Sequence, residues 1–232
     1  GVAMGIAAVF GGALLEGLHL SALLQGTAAI IVFGGTFGAA FVSFPQQDII
    51  RAVKMLGLAF KKVDLDVRGT IDEIIKIATV ARKEGVLALE GLRESIQDEL
   101  FKKSIKFVID GFEPGTVREI METEIYLTFE EEEQAGKVWE LTGGYAPTIG
   151  IIGAVLGLIH VMSGLNEPGA DLGSGIAVAF VATVYGVGAA NLLFIPLGTK
   201  LKRKAAMRMI TKEVVKLGVI GIQEGLNPAF LR

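Results

Sequence analysis

The chain has 232 residues, 51% of them hydrophobic, with a mean hydropathy of +0.56 and a net charge of −3. That is too apolar for an ordinary soluble domain of this size. The lack of cysteine excludes disulfides, thiolate metal sites and a cysteine nucleophile, and two histidines far apart in sequence do not make a histidine metal centre.

Residues 1–15 are apolar but carry neither a basic leader nor a cleavage site. They are read as the surviving part of a membrane helix that begins upstream of Gly1. A turn with Glu16 and His19, and no Lys or Arg, leads to a second apolar run over residues 20–44, which stops at Phe44-Pro45. That run meets the roughly 20 residues a membrane helix needs.

Residues 45–140 hold 14 basic and 20 acidic groups. Apolar positions at Ile71, Ile74, Ile75 and Ala78, and again at Val86, Leu87, Leu89 and Leu92, have helical spacing. Arg82, Lys83 and Glu90 fall on one such expected helix and would project from one side, about two turns apart. A solvated face is the plain alternative, as it is for the run Glu130 to Glu133. The stretch from Gly111 to Gly115, with Pro114, is a break. Thr116 reads as an N-cap with Glu119 as its capping-box partner, opening a charged helix that runs towards Trp139.

The third apolar run, Pro147 to Met162, crosses a bilayer only if Leu141 to Ala146 contributes or if the helix is short and kinked. Pro147 is expected in a first turn, where its missing N–H costs nothing. The fourth run, Gly175 to Thr199, is long enough alone, and Pro196 inside it should release a carbonyl one turn earlier and make a kink or hinge. Neither run contains Asp, Glu, Lys or Arg; their polar side chains are Thr148, His160, Thr183, Tyr185, Asn191 and Thr199. Thr183 either bonds back to its own helix or faces a wet path. Glycines four apart, at Gly1/Gly5, Gly34/Gly38 and Gly153/Gly157, allow helices to approach closely. Intramembrane carboxylates mark ion pathways. If this protein moves ions, another chain carries the acid.

Cations set the orientation. Arg51, Lys54, Lys61 and Lys62 follow the second run, and Lys200, Lys202, Arg203, Lys204 and Arg208 follow the fourth, whereas the turn from Ser163 to Ser174 has only Glu167 and Asp171. Residues 45–140 and 200–232 therefore belong in the cytoplasm, with both termini inside. The expected fold is all-α: a polytopic membrane protein of four transmembrane helices, N-in and C-in, with a helical cytoplasmic domain between the second and third. Its parts are residues 1–44, 45–143, 144–199 and a basic tail, 200–232. With 8 basic and 2 acidic groups, the tail should pair with the acidic insert or lie on anionic headgroups. No phosphate loop, nucleophile elbow, metal-ligand spacing or basic–aromatic nucleic-acid surface is present. No enzyme and no cofactor are expected.

Four apolar runs with a large loop after the second combine here with four motifs: Tyr145-Ala-Pro-Thr-Ile-Gly-Ile-Ile-Gly153, Ile176-Ala-Val-Ala-Phe-Val-Ala-Thr-Val-Tyr-Gly186, Ala81-Arg-Lys-Glu-Gly-Val-Leu-Ala-Leu-Glu90 and Ile222-Gln-Glu-Gly-Leu-Asn-Pro228. Over essentially its whole length the chain resembles the MotA/PomA stator subunits of the bacterial flagellar motor. The resemblance implies an inner-membrane homopentamer around two copies of a single-span MotB/PomB-type partner, which supplies the ion-binding aspartate. Ion passage would turn the ring and push the rotor protein FliG. Arg82 and Glu90, with Lys83 beside them, match rotor-contact positions; Pro147 and Pro196 match two functional prolines; Thr183 matches a pore threonine. Sodium-type members tend to carry threonine where this chain has Ala154, and often a threonine pair where it has Ala182-Thr183. The missing hydroxyls are oxygen donors that a dehydrating sodium ion needs. Proton coupling is therefore expected, with a sodium-driven PomA type as one alternative and an ExbB/TolQ-like energiser of outer-membrane processes as the other. A self-contained channel would need an acid within the spans.

Overall fold

The computed structural model describes residues 1–17, 19–61, 66–165 and 172–230. Lys62, Glu167 and Asp171 lie outside them. Every regular element among the described residues is helical. In chain order these are α1 (Val2–Leu15), α2 (Gly26–Ser43), α3 (Gln46–Phe60), α4 (Val67–Glu84), α5 (Glu90–Arg93), α6 (Glu99–Ile109), α7 (Pro114–Gly164) and α8 (Leu172–Gln223), with short 3-10 turns at Leu20–Leu23, Val86–Leu89 and Pro228–Phe230. Helices α2, α7 and α8 are long and apolar enough to cross a membrane, and α1 is a shorter apolar helix of 14 residues. The chain is thus an all-α, polytopic membrane protein with a large helical domain.

By contact the chain divides into two units, Gly1–Phe60 with Gln134–Lys202, and Lys61–Glu133 with Arg203–Arg232. The first holds α1 to α3 and the apolar parts of α7 and α8. Its surface is apolar, as a membrane solvent demands: Leu15, Val42, Phe41, Ile159 and Phe180 all stand exposed. Its interior is built on small residues. Helix α7 presents a glycine every seventh residue, at Gly136, Gly143, Gly150 and Gly157, to α8. A Cβ at Gly136 would lie 2.9 Å from the Gly198 oxygen, at Gly150 2.9 Å from the Ala182 oxygen, and at Gly157 2.9 Å from the Gly175 oxygen. A seven-residue repeat keeps one stripe of a helix facing its neighbour, and without side chains that stripe brings backbones into contact. Of the three glycine pairs read from the sequence, Gly153/Gly157 lies in this seam. Gly34 and Gly38 face open space, and the tight position on α2 is Gly35, whose Cβ would lie 2.7 Å from Ile149 Cγ2.

One of the two expectations about prolines changes. Pro147 is not in a first turn: α7 runs unbroken from Pro114 to Gly164, and Pro147 lies deep inside it. The charged helix and the third apolar run are one helix, because nothing between Trp139 and Pro147 stops helical hydrogen bonding before the proline itself. Pro196 does lie inside a helix, and a π turn, Ala190–Phe194, directly precedes it. One extra residue in the turn is a known way to absorb a missing N–H. A second π turn, Ile30–Gly34, has no proline near it.

Within this unit, aromatic rings fix α3. The Trp139 indole N–H donates to the Ala52 carbonyl at 3.0 Å, and its ring stacks on Phe194 with centroids 5.9 Å apart. Tyr185 holds the start of α2: its hydroxyl donates to the Leu23 carbonyl and accepts the Gln25 N–H at 3.4 Å.

The second unit has a conventional apolar core. Ile74, Ile77 and Ala78 of α4, Phe101 and Ile105 of α6, Val117, Met121 and Ile125 of α7, and Val215 and Val219 of α8 are buried together. Asp66 and Asp98 cap α4 and α6, accepting the N–H of Gly69 and Phe101, each at 2.8 Å. Gly111, at φ +79°, ends α6 in a left-handed turn where Phe112 N–H reaches the Phe107 carbonyl at 3.1 Å. Thr116 is not the N-cap expected of it. The helix begins at Pro114, with Val117 N–H on the Glu113 carbonyl at 3.0 Å, since proline is preorganised for a first turn.

The basic tail pairs with the insert, the first of the two outcomes its charge allowed. Arg208 meets Glu132 at 2.8 Å, and Lys216, only 11% exposed in its side chain, lies between Glu122 at 3.2 Å and Glu213 at 2.7 Å. Burial alone would lower the Lys216 pKa, but hydrogen bonds to Glu213 and Glu122 outweigh it and lift the ammonium above its usual range. Glu132, within the acidic run, is therefore an ion-pair partner as well as a surface group.

Glu73 on α4 behaves in the opposite way. Burial raises its pKa, the negative charge of Asp98 raises it further, and Lys76 only partly offsets both. The folded chain thus holds this proton more tightly than the unfolded chain. The contribution favours the fold in acid, below the ordinary carboxylate range, and is lost as pH rises through the raised folded value. Glu73→Gln, neutral at every pH, is expected to raise the melting temperature of the purified protein at pH 7 and to have no effect in acid. Thermal melts at the two pH values check this.

Candidate functional site

In the two charge-free runs, three of the six polar side chains are occupied by their own helix. Thr148 donates to the Tyr145 carbonyl at 2.7 Å, Thr183 to Ala179 at 3.3 Å and Asn191 to Val187 at 3.0 Å. For Thr183 the self-bonded alternative is thus the one realised, through a long hydrogen bond. Thr199 looks elsewhere, to Glu140 at 2.8 Å. These spans line a membrane interior without a carboxylate of their own.

Pro147, Gly150 and Ala154 share one face of α7, being three and seven residues apart. A Cβ at Gly150 would lie 3.5 Å from Thr183 Cα, so the structure brings Thr183 against that face. Pro147, Ala154 and Thr183 are all half-buried beside the glycine seam, and the fully buried Ala182 abuts Gly153. Pro196 lies apart from this group, exposed, next to Leu197 and Lys200 in an apolar crevice lined also by Ile6 and Phe60.

Arg82, Lys83 and Glu90 do not lie on one helix. Gly85, at φ +84°, ends α4 right after Glu84, and a 3-10 turn, Val86–Leu89, separates it from the one-turn α5 that begins at Glu90. Helical spacing of the apolar residues hid this break because Ala81 and Leu89 still reach the same core across the turn. All three charged groups are exposed, and among the described residues no hydrogen bond or ion pair occupies them. They present two cations and an anion from either side of a sharp turn.

Glu140 was not singled out by sequence reasoning. Its carboxylate takes a hydrogen bond from Thr199 and an ion pair from Lys202 at 2.9 Å, tying α7 to α8. The available signal was a lone acid seven residues before Pro147, facing a cation six residues after Pro196. Among the described residues no group of three or more His, Cys, Asp or Glu comes together as a metal site.

Known proteins with this sequence and geometry fall into one group. Residues 92–213 match the family model described as the MotA/TolQ/ExbB proton channel family, and residues 1–85 match that of the motility protein A N-terminal region. The chain is 34% identical over 233 residues to motility protein A of Bacillus subtilis, covering 98% of the chain and 84% of that relative. It is 31% identical over 216 residues to the chemotaxis protein PomA of Vibrio alginolyticus, covering 93% and 84%. Among solved structures, MotAB of C. jejuni superposes with a TM-score of 0.92 at 30% identity, over 99% of this chain and 90% of that one. The flagellar MotAB stator complex of Bacillus subtilis superposes with a TM-score of 0.90 at 32% identity, over the same shares.

Proposed function

The chain belongs to the MotA/PomA family of flagellar stator subunits, ion-conducting, non-enzymatic proteins of the bacterial inner membrane, and we propose that it conducts protons with a single-span MotB-type partner and turns that flow into torque on FliG. The observation that carries this reading is the pair of charge-free, glycine-packed spans whose hydroxyls are all engaged within the chain, Thr148 and Thr183 with their own backbone, Tyr185 with the Leu23 carbonyl and Thr199 with Glu140. A wall of this kind binds no ion by itself and needs an acid from outside, which the partner's aspartate supplies.

On this reading α1 is a fourth span, both termini are cytoplasmic, and five copies surround two partner chains. Residues 1–44 and 144–199 are the membrane parts, 45–143 is the cytoplasmic domain and 200–232 its basic tail. Pro147, Ala154 and Thr183 border the ion path, and Pro147 and Pro196 mark where α7 and α8 flex. One charge crossing about 100 mV yields about 2.3 kcal/mol, so each ion drives a small step rather than a full turn. Alanine at 154 and 182 leaves fewer oxygens to replace the shell of a sodium ion, which favours protons over a sodium-driven PomA-type cycle. The match of residues 1–85 to the motility protein A N-terminal region favours a motor over an ExbB/TolQ-like energiser.

Arg82, Lys83 and Glu90 form the rotor-contact group, supported by their exposure and free charge. Arg82→Ala with Glu90→Ala is expected to abolish most swimming in a host lacking its own stator, with the amount of protein in the membrane unchanged. Swimming speed and an immunoblot of membranes check this. Unchanged swimming would return the group to a solvated surface.

A further inference from the structure

Two interruptions in the helix ladders face each other inside the membrane unit. Pro147 deprives the Gly143 carbonyl of its i+4 donor, and Pro196 does the same to Leu192, inside the π turn Ala190–Phe194. Gly143 is also where α7 touches that turn: its Cβ would lie 3.1 Å from Phe194 Cβ and 3.1 Å from Ile195 N. Each helix is therefore weakest in bending at the level where it meets the other. Immediately beyond, Glu140 Oε2 binds Lys202 Nζ at 2.9 Å and Oε1 accepts from Thr199 at 2.8 Å, while Gly136 and Gly198 bring the backbones into contact. The carboxylate is 28% and the lysine 34% exposed, so solvent only partly screens the pair.

We propose that Glu140 is a positioning residue for force transmission: through Lys202 and Thr199 it ties α7 to α8 just past their facing interruptions, so that bending at that level moves both helix stems together. The proposal rests on the stator reading. Backbone contact at the glycines resists approach but not sliding; a charged hydrogen-bonded tie with two partners on α8 resists sliding as well. Without it, each stem is free to bend alone, and ion passage no longer commits both to the same displacement.

The test uses the full chain with its cognate single-span partner in cells lacking their own stator. Glu140→Gln, Lys202→Met, the double variant and Glu140→Asp are compared. Torque is read as the speed step of a tethered bead when one stator joins the motor, ion flux as cytoplasmic acidification, and amount by membrane immunoblot. The expected result is that each single variant loses most of its torque step while flux and amount persist. The double variant is no worse than the worse single, as for one broken pair, and Glu140→Asp keeps the step. An unchanged step in Glu140→Gln overturns the proposal. So do losses that multiply in the double variant, and so does a parallel fall of torque, flux and amount, which marks a merely structural role. If the unmodified chain gives no torque step at all, it is the stator reading that fails.

Discussion

Gly186→Val is expected to remove the protein from the membrane, or to leave it unable to assemble with a partner. A Cβ at this position would meet the Ala146 carbonyl oxygen and lie 3.1 Å from Gly150 Cα, both backbone atoms of α7. A flexible side chain could move aside, but a backbone inside a continuous helix cannot shift without carrying its neighbours. The cost sits at the upper end of the overpacking range, about 3 kcal/mol, and the same displacement would separate Thr183 from the Pro147–Ala154 face. Gly188→Val is the matched control, since Gly188 lies on the same helix, α8, with nothing within 4 Å of its Cβ position. Membrane abundance and the melting temperature of the purified complex distinguish the two. Equal behaviour would mean that the seam is looser than these distances.

Trp139→Ala is expected to destabilise the membrane unit by about 3–5 kcal/mol, the range for deleting a large buried aromatic. Trp139 is 9% exposed, stacks on Phe194 at the π turn and donates to the Ala52 carbonyl of α3. It thereby joins α3, α7 and α8 at one point. Trp139→Phe keeps most of the ring packing and loses the hydrogen bond, for about 1 kcal/mol. A thermal melt should rank the native chain first, phenylalanine second and alanine a distant third. Phenylalanine and alanine variants of equal stability would place the value of this residue in its N–H rather than its ring.

Much of this architecture is legible in the residues, and what is not has physical reasons. Charge-free runs with cations at one end announce membrane helices and their direction because the bilayer punishes charge so heavily. Gly111 to Pro114 mark the break between α6 and α7 by local chemistry alone. Local signals mislead where they compete with longer ones. Thr116 and Glu119 have the form of a capping box, but Pro114 starts the helix earlier. Val86 to Leu92 keep helical spacing although Gly85 has already ended the helix, because a 3-10 turn aims the same side chains at the same core. The seven-residue glycine repeat at 136, 143, 150 and 157 is present in the sequence, but glycine pairs four apart compete with it as a packing signal. Glu140 is not legible in the net charge of whole segments, which hides a single ion pair between α7 and α8. Pro147 looked like a helix start because its neighbours change from charged to apolar there, yet the helix passes straight through.

Ion flux into liposomes that hold this chain alone, or this chain with its single-span partner, under an imposed proton gradient tests the division of labour most directly. No acidification is expected with the chain alone, because its spans carry no carboxylate. Acidification with the partner is expected, undiminished when sodium is left out. Acidification by the chain alone, or a flux with the partner that requires sodium, would contradict the account of a glycine-packed wall that borrows its acid and passes protons.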